Sequence, residues 1–178
     1  MNLIGFDIGG TKCACVLGKM TASEDAIHIV DKIAFPTMNG PEPSLKALFE
    51  HAHELMEHNG HTASDIAGIG ISNQRETTAI WDKATGKPLE EAIVWQCGRA
   101  SGIAQEIAEQ GHAEEIREAT GLQLSAYFPA AKMAWLLRNG GEERQKRAAD
   151  GKLCLGTIDS WLVYKLTGDH AFKTDFSN

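Results

Sequence analysis

Short apolar runs separated by glycine, proline and polar residues fill the first part of the chain and predict strands. Residues 2–8 and 13–18 are strand-like, and Gly-Gly-Thr-Lys at 9–12 joins them, so the pattern predicts a β-hairpin. A third run at 27–35 predicts another strand, which the proline-rich stretch 36–43 ends.

A helix and a further strand follow this start. Apolar residues at helical spacing over 45–58 predict a helix, with Ser44 as its N-cap. Residues 66–72 form a short apolar run bounded by polar residues, which is typical of a strand buried in a parallel sheet. The predicted order is strand, strand, strand, helix, strand.

The second part of the chain combines short strands with helices. Residues 77–82 predict a strand, 83–88 a turn, and 92–95 are a further short apolar run. Beyond Arg99 the pattern predicts helices at 100–110, 112–119, 129–139, 141–150 and 157–166, the last closed by Gly168, and a strand at 152–156.

Size and charge exclude several classes of protein. A chain of 178 residues with 43% hydrophobic and 23% charged residues is long enough to bury a core as one domain. No apolar run approaches the roughly 20 residues that span a bilayer. A net charge of −7 argues against a nucleic-acid partner.

The chain opens on a strand with no basic leader, so we expect a cytoplasmic protein.

Cysteine and histidine give no strong metal pattern. The four cysteines form no Cys-x-x-Cys pair, which favours idle thiols in a reducing compartment. A group of histidines around the predicted helix, at His51, His53, His58 and His61, could be considered as a metal site. Glu54 and Glu57 lie among them, so a solvated polar helix face is the favoured interpretation.

Two short stretches carry candidate chemistry. The first strand contains an acid, Asp7, just before the glycine turn at 9–12, and backbone amides in such a turn can cradle phosphate groups. The second stretch is Asn-Gln-Arg-Glu at 73–76, which interrupts two strand-like runs. It lacks the Asn-Gly or Asp-Gly of a tight hairpin turn and supplies hydrogen-bonding side chains instead.

Both stretches take part in a resemblance to known kinases. Asp-Ile-Gly-Gly-Thr-Lys at 7–12 resembles the first phosphate-binding hairpin of the actin-like ATPase superfamily. Further segments occur in the same order and at similar spacing in the glycerol kinase branch of the FGGY carbohydrate kinases: GISNQRETTAIWDKATGKPLEEAIVWQ, TGLQLSAYF, KMAWLL and GTIDSWLVYKLTG. The resemblance implies an α/β fold with a ribonuclease H-like mixed sheet, the first lobe of an actin-like ATPase.

The resemblance also implies an enzyme that phosphorylates a small polyol or sugar with ATP and Mg²⁺. It assigns Gln74, Arg75 and Glu76 to the polyol hydroxyls, Trp95 to its carbon backbone and Tyr127 to a hydroxyl. Arginine donors and glutamate acceptors suit adjacent hydroxyls.

The glycine turn receives the phosphate role by the same resemblance. Asp7 corresponds to the acid that helps to position magnesium, and Gly9, Gly10 and Thr11 place amides and a hydroxyl near the terminal phosphates. Lys12 adds positive charge there. Phosphoryl transfer depends mainly on such positioning and electrostatic stabilisation.

The chain departs from the family pattern in places. The first 65 residues resemble ROK-family sugar kinases more closely, which indicates a hybrid with a junction near 70–73. Gly98, Ala100 and Ala126 stand where glycerol kinases usually have Arg, Thr and Pro. The substrate therefore stays open, with glycerol first and other polyols or a ketopentose behind it.

The family's general-base aspartate and adenosine-binding domain have no counterpart in these residues. We therefore expect no turnover by the 178-residue chain alone, and self-association through surface that a second lobe normally covers. The alternative function is a non-catalytic sugar-binding or regulatory domain derived from a ROK-type kinase.

Overall fold

The computed structural model describes residues 1–21, 26–38 and 41–178. The chain forms two compact units, Met1–Gln74 and Arg75–Asn178. Its class is α/β with a mixed sheet, as the sequence predicts. Residues 39–40 of the predicted proline-rich break lie outside the described residues.

The first unit contains a four-stranded sheet in the order β3-β2-β1-β4. Its strands are β1 (Asn2–Ile8), β2 (Lys12–Met20), β3 (Ile27–Pro36) and β4 (Ile66–Asn73). Strands β1 and β2 form the predicted antiparallel hairpin, β3 pairs antiparallel with β2, and β4 pairs parallel with β1. The predicted order of elements in this unit is confirmed.

Alternating burial explains how the first unit holds its helix α1 (Pro41–His58). The buried side chains of the two central strands alternate with more exposed ones, at Ile4, Phe6, Ile8, Cys13, Cys15 and Leu17. Helix α1 contributes the buried residues Leu45, Leu48, Ala52, Leu55 and Met56 at helical spacing. Burial of these two apolar sets is the main force that stabilises the unit.

The predicted N-cap of this helix is wrong. Helix α1 begins at Pro41, so Ser44 lies inside its first turn, where the buried hydroxyl donates to the carbonyl oxygen of Met38 at 3.4 Å. Proline is tolerated at the first helical position because the amide proton it lacks would have no helical acceptor there. Pro41 and Pro43 therefore belong to the first turn of the helix, where the sequence pattern suggested a break.

Within Arg75–Asn178, the second unit contains a two-stranded antiparallel sheet and five α-helices. The elements are β5 (Thr78–Asp82), α2 (Ser101–Glu109), α3 (Ala113–Thr120), α4 (Pro129–Asn139), α5 (Gly141–Ala149), β6 (Leu153–Thr157) and α6 (Ile158–Leu166). Every predicted helix of this part is present, with bounds within one residue at most ends.

Two tryptophans anchor the core of the second unit. Trp81 and Trp161 are both fully buried, and the indole N–H of Trp161 donates to the carbonyl oxygen of Gly86 at 3.0 Å. Gly86 has a positive φ of 66° in the predicted turn at 83–88. Asp82 opens this turn, because its carboxylate accepts from the amide and the hydroxyl of Thr85, both at 2.8 Å.

Two local details of this unit differ from the sequence patterns. Residues 92–95 form no strand, and Ile93 instead makes an isolated antiparallel bridge to Thr78. The chain turns directly afterwards, since the amide of Cys97 donates to the carbonyl oxygen of Val94 at 3.0 Å. Helix α6 is closed by Thr167 rather than Gly168, because the amide and hydroxyl of Thr167 both donate to the carbonyl oxygen of Val163.

Several apolar side chains remain exposed on the edge strand β3. Ile27, Ile29 and Val30 are exposed, with Ile29 at 66%. An open strand edge with apolar side chains is a surface on which other chains can pair. Self-association stays a prediction.

In the described ranges, no helix is both long and apolar enough to cross a membrane.

Truncation of Leu48 to alanine should destabilise the first unit by about 2–5 kcal/mol, because the fully buried side chain leaves a cavity between helix and sheet. Urea unfolding followed by circular dichroism measures the loss. Glu50→Ala, an exposed change on the same helix, is the matched control and should alter stability by less than about 0.5 kcal/mol. Equal effects of the two changes would contradict this packing.

Candidate functional site

The glycine turn (residues 9–12) is closed by a backbone hydrogen bond. The amide of Gly9 donates to the carbonyl oxygen of Lys12 at 3.0 Å, and a Cβ at position 9 would lie 2.6 Å from that oxygen. Glycine is therefore required here by space. Within the described residues the amides of Gly10 and Thr11 form no hydrogen bond, so they stay available to an external acceptor.

Thr37, which follows β3 and was not predicted from the sequence, stabilises this turn by two hydrogen bonds. Its hydroxyl donates to the carbonyl oxygen of Gly9 at 2.8 Å, and its amide donates to the carbonyl oxygen of Thr11 at 3.1 Å. These bonds hold both sides of the turn tip. Hydrophobic periodicity carries no information about such a contact between residues 28 apart.

Gln74 lies beside the same turn. Its amide continues the pairing of β4 with β1 by donating to the carbonyl oxygen of Ile8 at 2.8 Å. Its side-chain oxygen lies 3.0 Å from where a Cβ of Gly10 would be, and that oxygen is buried with no partner in the described structure. The structure thus brings Gln74 to the glycine turn within the first unit.

Asp7 and Lys12 flank the turn with exposed side chains. Mg²⁺ is usually held by one or two carboxylates together with phosphate oxygens and water. One exposed carboxylate and the two available amides of Gly10 and Thr11 fit a magnesium-bound phosphate group. Elsewhere in the described ranges, no cluster of three or more His, Cys, Asp or Glu side chains could hold a metal ion.

In the second unit the structure brings together three of the predicted polyol residues: Trp95 and Tyr127 by a ring contact, and Glu76 through a lysine that binds both loops. The rings of Trp95 and Tyr127 lie 5.7 Å apart at an angle of 63°, an edge-to-face arrangement, and are 37% and 42% exposed. They are therefore surface aromatics and not core residues. Arg75 is exposed, and Glu76 is half-buried with a left-handed backbone φ of 65°.

Lys132 on α4 connects these residues and was missed by sequence reasoning. Its side chain is fully buried, and its ammonium donates to the carbonyl oxygen of Glu76 at 3.1 Å and to that of Tyr127. The ammonium also lies 5.9 Å from the centre of the Tyr127 ring. Glu76, Trp95, Tyr127 and Lys132 are called the Lys132 cluster below.

Burial and neighbouring groups shift the pKa values of Lys132 and of a nearby thiol. Desolvation lowers the pKa of the Lys132 ammonium below its ordinary value, and the charge of Glu76 partly opposes this shift. Cys97 lies close by, and hydrogen bonds from Arg99, whose Nε is 3.0 Å from the sulfur, lower the pKa of its thiol. By contrast, burial raises the pKa of Cys15 to about 11.

Comparison with known proteins identifies the family. The family model for the N-terminal domain of FGGY carbohydrate kinases matches residues 2–178. The chain belongs to the FGGY family of carbohydrate kinases. The match includes the first 65 residues, which by sequence alone resemble ROK kinases. The predicted junction near 70–73 stays a prediction.

Individual relatives agree with this FGGY assignment. Glycerol kinase 2 of Thermotoga maritima is 50% identical over 129 residues, 72% of this chain and 26% of that protein. The structure of Plasmodium falciparum glycerol kinase with ADP matches with a TM-score of 0.79 and 27% identity, over 93% of this chain and 34% of that one. A xylulose kinase from Lactobacillus acidophilus shares the fold, with a TM-score of 0.72 at 21% identity over 94% of this chain and 33% of that one.

This FGGY chain spans about a quarter of the length of the curated relatives that it matches. Both the glycine turn and the Lys132 cluster lie within the residues that the family model matches. The predicted fold, the first lobe of an actin-like ATPase, is confirmed by the solved FGGY kinases.

Substitution of Gly9 by alanine should cost about 1–3 kcal/mol, since the new Cβ would meet a backbone carbonyl that closes the turn. Gly10→Ala should cost less, because its neighbour is the movable end of Gln74. Thermal unfolding measures both. Adding Gln74→Ala should relieve Gly10→Ala and leave Gly9→Ala unrelieved; relief of both would contradict the stated contacts.

Proposed function

We propose that the protein phosphorylates a small polyol with ATP, in the manner of a glycerol kinase. These 178 residues would supply the polyol-binding residues and the first phosphate-binding hairpin. The observation that carries the proposal is the Lys132 cluster, in which two exposed aromatic rings and Glu76 are held together beside the exposed Arg75. Family membership and the glycerol kinases among the relatives support it.

The cluster offers the groups that a polyol needs. The carbon backbone of a polyol presents C–H groups that pack on aromatic faces, and Trp95 and Tyr127 expose such faces. Its hydroxyls both donate and accept, and Glu76 accepts while Arg75 donates. A site of this kind rejects analogues that lack a hydroxyl, because its own polar groups would then be unpaired.

The glycine turn supplies the phosphate side of the proposal. The available amides of Gly10 and Thr11 would donate to terminal phosphate oxygens, with Lys12 adding charge. Asp7 would help to hold Mg²⁺, which neutralises charge on the phosphates when it is bound. Gln74 was assigned to the polyol with Arg75 and Glu76; its position beside Gly10 favours a role toward the phosphate end of the reaction instead.

In the proposed reaction a polyol hydroxyl oxygen attacks the terminal phosphorus of ATP. A new P–O bond forms to the polyol, the bond to the ADP oxygen breaks, and the hydroxyl proton passes to a general base. From the resemblance to FGGY kinases we expect that base to lie outside these residues. Glycerol is the first candidate substrate, with other polyols or a ketopentose behind it because of Gly98, Ala100 and Ala126.

We also infer a cytoplasmic location. All four cysteines, Cys13, Cys15, Cys97 and Cys154, are free thiols, which suits a reducing compartment. ATP as the phosphoryl donor is consistent with the same location.

Ligand-observed NMR on the 178-residue chain tests polyol binding. Glycerol, xylulose, glucose and N-acetylglucosamine are offered in turn, and we expect saturation transfer to glycerol. Arg75→Ala should weaken binding by about tenfold or more, because charged hydrogen bonds to the hydroxyls are lost. Arg117→Ala, which removes an exposed arginine from α3, is the control and should bind as the parent does. Transfer to glucose alone, or to no ligand, would refute the proposal.

Turnover is tested separately by ADP release in a coupled assay. The 178-residue chain with ATP, Mg²⁺ and glycerol should release ADP no faster than its Glu76→Gln variant, because no general base is proposed within these residues. Glycerol-dependent ADP release that Glu76→Gln abolishes would show that the base lies within them after all.

A further inference from the structure

Among the described residues, Lys132 is the one buried cation. Its side chain is 0% exposed, whereas lysines are rarely buried unless their charge is compensated. An ammonium group has three protons to donate. Two of its acceptors are main-chain carbonyl oxygens of loop residues, Glu76 and Tyr127, and neither belongs to a helix or a strand.

Glu76 needs external support for its conformation. Its φ of 65° lies in the left-handed region, which residues other than glycine, asparagine and aspartate seldom adopt. The carbonyl oxygen of Glu76 accepts from the Lys132 ammonium at 3.1 Å and from the Thr78 hydroxyl at 3.1 Å. These two donors fix the peptide that follows Glu76 and therefore fix where its side chain starts.

Tyr127 is held from the same point. Its carbonyl oxygen accepts from the ammonium, and its ring lies 5.9 Å from Nζ, within the range of a cation–π contact. The ring of Tyr127 in turn packs against Trp95. A single buried charge thus connects residues 51 positions apart in the chain, 76 and 127, that the proposed function assigns to the polyol.

We propose that Lys132 is a positioning residue of the polyol site, which sets the placement of Glu76 and Tyr127 by binding their main-chain carbonyl oxygens. This proposal rests on the proposed function, because it assigns the purpose of the placement to polyol binding. Lys132 itself needs no contact with the polyol.

The lysine is not replaceable by an apolar side chain of similar length. In Lys132→Met the methionine fills the space, but the carbonyl oxygen of Tyr127 loses its ammonium donor and that of Glu76 keeps only Thr78. Lys146→Met is the matched control, since it makes the same chemical change at an exposed site on α5 of the same unit.

The first arm of the test needs no ligand. In isotope-labelled chain, a strong intraresidue amide-to-Hα nuclear Overhauser effect at Glu76 reports the positive φ. The parent and Lys146→Met should show this signal, and Lys132→Met should lose it while keeping the folded spectrum of the β5-β6 core. A retained positive φ in folded Lys132→Met would overturn the proposal.

The second arm measures glycerol affinity by chemical-shift titration. Lys132→Met should weaken binding by about tenfold, the size expected when hydrogen bonds of a charged group are lost. In a Glu76→Gln, Tyr127→Phe background the same change should weaken binding by less than about threefold, because neither the carboxylate nor the phenol that Lys132 positions is then present. Equal factors in both backgrounds, or no effect on affinity, would indicate a purely structural lysine and refute the proposal.

The two arms separate the two hypotheses. If the parent chain binds no polyol, the proposed function fails, and the Glu76 signal still decides whether Lys132 sets the loop conformation. If the parent binds glycerol and Lys132→Met binds it equally well, the proposed function stands and the positioning role is refuted.

Discussion

A buried ammonium group must keep its hydrogen-bond acceptors, and this constraint fixes two loops of the second unit. Removing a charge from water costs several kcal/mol unless hydrogen bonds and neighbouring charges compensate for it. For Lys132 the compensation comes from the carbonyl oxygens of Glu76 and Tyr127. Because the ammonium is held by the packing of α4, the two loops that supply these oxygens have little freedom to move away from it.

The glycine turn of the first unit is fixed in a different way, by lack of space. A side chain at position 9 would collide with the carbonyl oxygen of Lys12, and one at position 10 would press on Gln74. Thr37 then holds the two sides of the turn tip by hydrogen bonds. The turn is thus held by close contacts and by Thr37, without use of the amides of Gly10 and Thr11. A turn that binds phosphate must leave such amides available.

Local patterns of the sequence predicted most of the fold. The bounds of β1 and α4 agree with the predicted 2–8 and 129–139, because strand alternation and helical spacing act over a few neighbouring residues. Ser44 and Gly168 were wrong as helix boundaries, since α1 already begins at Pro41 and Thr167 bonds the end of α6 in place of Gly168. The candidate residues were found through a family resemblance and not through periodicity.

Thr37 and Lys132 could not be found in this way, because their partners are distant in the chain. Lys132 lies in a segment, Lys-Met-Ala-Trp-Leu-Leu, where the polar residue is expected to mark the solvent face of the helix. Its burial depends on the carbonyl oxygens of two loop residues. Because every residue has a carbonyl oxygen, the sequence does not indicate which ones will accept from this lysine. Non-local contacts with the main chain are therefore the part of this site that pattern analysis misses.

Because Lys132 binds main-chain oxygens, the contacts that position the two loops differ from the side chains that would select a ligand. Every residue type has a carbonyl oxygen, so these two hydrogen bonds of Lys132 do not themselves require glutamate at position 76 or tyrosine at position 127. The chemistry offered to a ligand is then decided by the side chains of Arg75, Glu76, Trp95 and Tyr127. Under the proposed function, substitution at the loops would change the preferred polyol, while the lysine and the backbone that it holds remain the same.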